Sequence, residues 1–153
     1  MLPIRKLSKI LIPERIVVLE TGHKQQALEA MIELLSGAEE VKDREELARG
    51  IFHREELMST GIGQELGIPH VRIDSVKNIV LAMGVSREPI QDYTALDGEP
   101  VRLVFMIAAA PNQHADHIRL LSSISFRFKD AALRKAVLNA ADATGVYQLI
   151  MKA

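Results

Sequence analysis

A histidine held between two arginines in a glycine-rich stretch is the most reactive arrangement in this chain. From Arg54 to Arg72 the sequence reads R-E-E-L-M-S-T-G-I-G-Q-E-L-G-I-P-H-V-R. Neutral imidazole is a competent nucleophile near pH 7, because its ordinary pKa is about 6.5. A phosphoryl group on a ring nitrogen stays labile, so His70 suits a group that is first accepted and then passed on. Arg54 lies sixteen positions upstream. Its guanidinium is a planar fork of donors that fits phosphate, and phosphoryl transfer depends on such positioning and charge neutralisation. The alternative for Arg54 is a helix C-terminal residue answering the helix dipole. Ser59, Thr60 and the amides of Gly61 to Gly63 form a turn able to bond phosphate oxygens, or else a plain tight turn between helix and strand. Pro69 biases Ile68 toward extended backbone, so the imidazole is expected where an extended segment ends.

The spacing R-E-x-x-x-S-T-G-I-G-x-x-x-x-I-P-H resembles the active-site signature of the enzyme IIA domains of the bacterial phosphoenolpyruvate:sugar phosphotransferase system. The branch is the fructose/mannitol type, which includes nitrogen-regulatory paralogues, and the resemblance runs from about Ile10 to Ile150. It implies that His70 is the phosphoacceptor and that Arg54 lies beside it. The stretch H-I-R-L-L-S-S-I-S beginning at His117 resembles the family's second-histidine helix, which implies that His117 orients His70 or steadies the phosphoryl group. Two positions depart from the usual G-I-A-I-P-H. Gly67 is a smaller residue than the family's, and Glu65 replaces a glycine, which adds a carboxylate expected near the incoming phosphoryl group.

By the same resemblance, the donor is the phosphohistidine of HPr and the acceptor is the cysteine of a IIB component. A regulatory target protein takes the acceptor's place if the chain is of the nitrogen-regulatory type. Cysteine is absent, so the IIB step belongs to another polypeptide, and disulfides and zinc-thiolate sites are excluded. No cofactor and no metal is expected. A metal reading takes His114 and His117 as ligands with Asp116 nearby and lacks a clear third ligand; the metal-dependent hydrolase alternative would use His70, His114 and His117. Arg72 is a further candidate for phosphate or an acidic partner. His23 and His53 are expected to take no part.

The chain has 153 residues, 48% hydrophobic and 25% charged, with a net charge of -1. These values suit one soluble domain, here residues 1–153 with a core of about 10–150. The charge balance argues against nucleic acid as a partner. No apolar run spans a membrane and no signal peptide is evident, so the expected location is the cytoplasm.

Residues 1–12 suggest a lead-in helix or loop. A strand is expected over Arg15–Leu19, and a helix over Lys24–Ser36 capped by Thr21 and ended by Gly37. A second helix opens at Asp43 in a capping box with Glu46. Buried strands are expected at Ile79–Val85 and Val101–Ile107, with turn chemistry at Arg87-Glu88-Pro89 and Leu96–Pro100. Helices follow that carry His114 and His117, start at Asp130, and run from near Asp142 to Met151. Alternating strands and helices imply a single α/β domain, a central mixed β-sheet flanked by α-helices.

Overall fold

The computed structural model describes Leu7 and residues 10–152. Leu7 and Ile10 are helical, and the rest of the expected lead-in up to Lys9 lies outside the described residues. A mixed sheet is built from β1 (Ile16–Leu19), β2 (Gly61–Gly63), β3 (Leu66–Gly67), β4 (His70–Arg72), β5 (Val80–Ile90) and β6 (Val101–Ala109). The helices are α1 (Lys24–Ser36), α2 (Arg44–Leu57), α3 (His114–Arg127), α4 (Ala131–Leu138) and α5 (Ala143–Met151).

The centre of the sheet is β6. It runs antiparallel to β5, which pairs in parallel with β1. On its other side β6 carries two short parallel strands in succession, β3 at Leu103–Val104 and β4 at Ile107–Ala109. Every residue from Leu103 to Ala109 is fully buried, as expected of a strand covered on both faces. The pleat sorts side chains between two cores. Ala82, Val104, Met106 and Ala108 face α1 and α2, whereas Met83, Leu103, Phe105 and Ile107 face α3, α4 and α5. Phe105 and Phe128 meet at 4.9 Å between ring centroids, a contact worth about 0.5–1.5 kcal/mol beyond area burial.

Local chemistry sets the boundaries, and some differ from expectation. Thr21 does not cap α1. Its hydroxyl accepts from His23 N, while Lys24 N donates to Asp92 at 2.7 Å, so a residue distant in sequence does the capping. Asp43 caps α2 through Glu46 N, but the Glu46 carboxylate turns to Ser75 instead of closing the box. Asp130 and Asp142 cap α4 and α5 through backbone amides. Arg87-Glu88-Pro89 is not a turn. It lies within β5, where the ladder with β6 shifts register between Val85 and Ile90.

The glycine-rich stretch is a hairpin laid against β6. Gln64 and Glu65 have φ of 56° and 71°, the pair of left-handed residues that a tight two-residue turn demands. Glycine is the least strained residue there. Glu65 is held instead by accepting from Arg102 N and Leu103 N, and by ion pairs to Arg102 at 3.1 Å and Arg134 at 3.5 Å. Opposite the hairpin, Thr94 and Ala95 pass so close to Gly61 that a Cβ there would sit 2.1 Å from the Thr94 carbonyl oxygen. That atom is backbone and cannot rotate away. Gly61→Ala is therefore expected to cost about 2–4 kcal/mol, measured by urea unfolding. A loss under about 0.5 kcal/mol would mean that β2 slides freely along its neighbours.

Candidate functional site

His70 opens β4; it does not end an extended segment as expected. The break in the strand falls at Pro69, which has no N–H to give the ladder. Its carbonyl still accepts from Ile107 N at 3.0 Å, and the ladder resumes with His70 opposite Ile107. The imidazole Nδ1 lies 2.7 Å from the Ile68 carbonyl oxygen. A carbonyl can only accept, so Nδ1 carries the proton and Nε2 carries the lone pair. The sequence could not specify this tautomer, because a backbone carbonyl two residues away selects it. Burial holds the His70 pKa below its ordinary value and the Arg54 and Arg72 charges add to this, outweighing the Ile68 hydrogen bond and Glu55.

His117 stands in the first turn of α3, edge-on to His70 with centroids 4.9 Å apart and planes at 74°. It is 4% exposed, and its Nε2 has no hydrogen-bond partner among the described residues. Burial, then His70 and Arg72, push its pKa down to about 4. Both imidazoles are thus neutral at pH 7. Arg54 reaches the same cleft from the last turn of α2, steadied by Nη1 donating to Met58 O at 2.8 Å. The cleft encloses about 380 Å³, and its rim includes the exposed side chains of Leu57 and Ile118. His53, expected to take no part, also lines it.

Ser59, Thr60, Gly61 and Gly63 do not line this cleft. The Ser59 hydroxyl donates to Thr94 O at 2.6 Å and accepts from Gly61 N, while Gly61 and Gly63 pair with β3. Thr60 is buried. Its hydroxyl donates to Glu55 at 2.6 Å and meets the Tyr93 hydroxyl at 2.5 Å. The expected phosphate-binding turn thus lies outside the cleft, with its Ser59 and Thr60 hydroxyls and the Thr60 and Gly61 amides engaged in bonds of its own. Glu65 is likewise misplaced by the expectation. It neighbours Leu103, four residues along β6 from His70's partner Ile107, or roughly 13 Å at strand spacing.

Glu55 has a side chain only 6% exposed. Its carboxylate pairs with Lys24 at 2.7 Å and accepts both Thr60 N–H and O–H. Thr60 O accepts Ile68 N, and Ile68 O accepts His70 Nδ1. A single run of hydrogen bonds therefore connects Lys24 to the imidazole. Tyr93 closes it from the side, with Lys24 Nζ 4.5 Å from its ring centroid. Burial, with the Glu55 charge second, raises the Tyr93 pKa and keeps it a phenol. A Cβ on Gly67 would strike the Tyr93 ring at 2.7 Å, so the departure at Gly67 makes room for Tyr93.

Among the described residues no three His, Cys, Asp or Glu side chains converge as metal ligands. His114 Nδ1 is instead engaged by the Arg72 guanidinium. The site offers a nucleophilic nitrogen, a second imidazole and two guanidinium cations, a set suited to phosphoryl transfer.

The sequence profile of the family described as "Phosphoenolpyruvate-dependent sugar phosphotransferase system, EIIA 2" matches residues 9–153, and the chain belongs to that family. It is 34% identical over 95% of its length to a fructose-specific EIIABC component of Bacillus subtilis, of which it spans 23%. It is 30% identical to a nitrogen regulatory protein of Pseudomonas aeruginosa over 95% of both chains. The crystal structure of nitrogen regulatory protein IIA-Ntr from Neisseria meningitidis superposes with a TM-score of 0.85 at 30% identity, covering 95% of this chain and 99% of that one.

Two predictions follow from the buried groups. The unfolded chain binds a proton at His117 near pH 6.5, whereas the folded one does so only near 4, so stability falls as pH drops through that window. The loss is expected to reach up to about 3 kcal/mol, and His117→Leu should flatten that part of a pH-dependent unfolding curve. Glu55→Ala is expected to cost about 1–3 kcal/mol and to let the His70 tautomers mix, read from imidazole nitrogen NMR shifts. A pure Nδ1–H tautomer in that variant would remove Glu55 from the positioning of His70.

Proposed function

We propose, from membership of that family, that this chain is a phosphocarrier of the phosphoenolpyruvate-dependent sugar phosphotransferase system. The observation that carries the reading is the locked His70 tautomer, with Nε2 as nucleophile beside Arg54 and His117. In the proposed step the Nε2 lone pair attacks the phosphorus of the HPr phosphohistidine. A new N–P bond forms as the donor's N–P bond breaks, and the donor nitrogen keeps that electron pair. The Nδ1 proton stays on the Ile68 hydrogen bond. The phosphoryl group then leaves for a thiolate sulfur of a IIB cysteine on another chain, and Nε2 regains its lone pair. Neutral His70 needs no deprotonation at pH 7, because its pKa lies below the ordinary value.

Arg54 takes the charge on the equatorial oxygens in this reading, and His117 steadies the phosphoryl group across the cleft. The exposed Leu57 and Ile118 give donor and acceptor an apolar rim to dock against. No helix among the described residues is long and apolar enough to cross a membrane; in this reading the chain acts in the cytoplasm. A second reading rests on the whole-length likeness to nitrogen regulatory proteins. In it the phosphorylation state governs binding to a regulatory target, and no sugar is transferred.

The test is intact-protein mass spectrometry after incubation with enzyme I, HPr and phosphoenolpyruvate, with samples kept from acid. One phosphoryl group is expected on the wild type and none on His70→Gln. Arg54→Ala should slow the transfer about 100-fold or more with its fold intact. Discharge to an added IIB domain supports transport, whereas a target captured only in one phosphorylation state supports regulation. A folded wild type that takes up no phosphoryl group would overturn both readings.

A further inference from the structure

His70 and Arg72 are i and i+2 on β4, so their side chains leave the same face of the strand. Facing them, His114 and His117 are i and i+3 on the first turn of α3, and so share one face of that helix. The two pairs meet rung against rung: His70 lies edge-on to His117, and the Arg72 guanidinium engages His114 Nδ1. All four line the one cleft, which contains no carboxylate among the described residues. Because the His70 and His117 imidazoles are neutral at pH 7, the permanent positive charge on the cleft wall is Arg54 and Arg72. Arg54 is partly committed to the Met58 carbonyl. A transferred phosphoryl group carries close to two negative charges, more than one partly committed guanidinium neutralises.

We propose that Arg72 is a second phosphoryl-binding residue of this site, parked on His114 Nδ1 until a phosphoryl group arrives. His114 serves as its resting acceptor, because a guanidinium has donors only and its partner must offer a lone pair. When phosphorus bonds to His70 Nε2, Arg72 exchanges the imidazole lone pair for phosphoryl oxygens, a stronger charge-assisted contact. The exchange moves one exposed, flexible side chain and requires no backbone change. Arg72 and Arg54 then hold the phosphoryl oxygens from β4 and from α2. The proposal rests on the reading of His70 as phosphoacceptor.

The experiment compares wild type, Arg72→Ala, Arg72→Lys and His114→Ala. The rate of phosphoryl uptake is measured from phosphorylated HPr and, separately, from phosphoramidate, which needs no protein docking. Hydrolysis of the isolated phosphoproteins is followed in parallel, and folding is checked by circular dichroism. Arg72→Ala is expected to slow uptake about tenfold to 100-fold from both donors and to change the hydrolysis rate. Arg72→Lys should restore part of the rate. His114→Ala, which frees Arg72, should not slow uptake from phosphoramidate. Uptake and hydrolysis equal to wild type in Arg72→Ala would overturn the proposal. So would a defect confined to phosphorylated HPr, which would make Arg72 a docking residue. Failure of the wild type itself to take up phosphoryl would instead strike the reading of His70.

Discussion

One hydrogen bond sets what this site can do: His70 Nδ1 donating to the Ile68 carbonyl. It fixes which ring nitrogen has a free lone pair, and it joins the imidazole to the backbone of the strand that carries it. That backbone is laid along β6, fully buried from Leu103 to Ala109, through Ile107 N and the Pro69 carbonyl. The accepting carbonyl is set in turn by Thr60, and Thr60 by Glu55 and Tyr93. Much of what surrounds the imidazole (helix capping, hairpin, buried carboxylate) serves to keep one carbonyl in one place.

The sheet and its flanking helices were legible in the sequence because their signals are local and strong. The apolar run of β6, the helical spacing over Lys24–Ser36 and the Asp caps at Asp43, Asp130 and Asp142 each act within a few residues. His70, Arg54 and His117 were legible through a family signature, and the fold brings all three to one cleft. What was not legible depends on contacts distant in sequence. Thr60 reads as a free hydroxyl until Tyr93 and Glu55 occupy it. Glu65 reads as a charge near the chemistry until the turn places it beside Arg102 and Arg134. Thr21 reads as a cap until Asp92 takes the amide. In each case a group of the right type had a better partner elsewhere.

In the proposed function, burial also divides the labour between cation and nucleophile. The same desolvation that keeps His70 and His117 neutral removes them as sources of positive charge. A protonated imidazole has no lone pair with which to attack, so neutrality favours nucleophilicity and shifts the handling of anionic oxygens to guanidinium groups. Arginine suits this role because it stays charged in surroundings that strip a proton from histidine.

The anchoring of β4 along β6 also bears on signalling. Because its strand is seated on the buried residues Ile107 to Ala109 of β6, the proposed phosphoacceptor is held in a fixed frame. If His70 carries a phosphoryl group, the message to any partner is the loss of positive charge in a cleft that holds no carboxylate among the described residues. A partner that distinguishes the two forms would do so by reading electrostatic potential at a nearly constant shape, and its discrimination would fade as ionic strength rises.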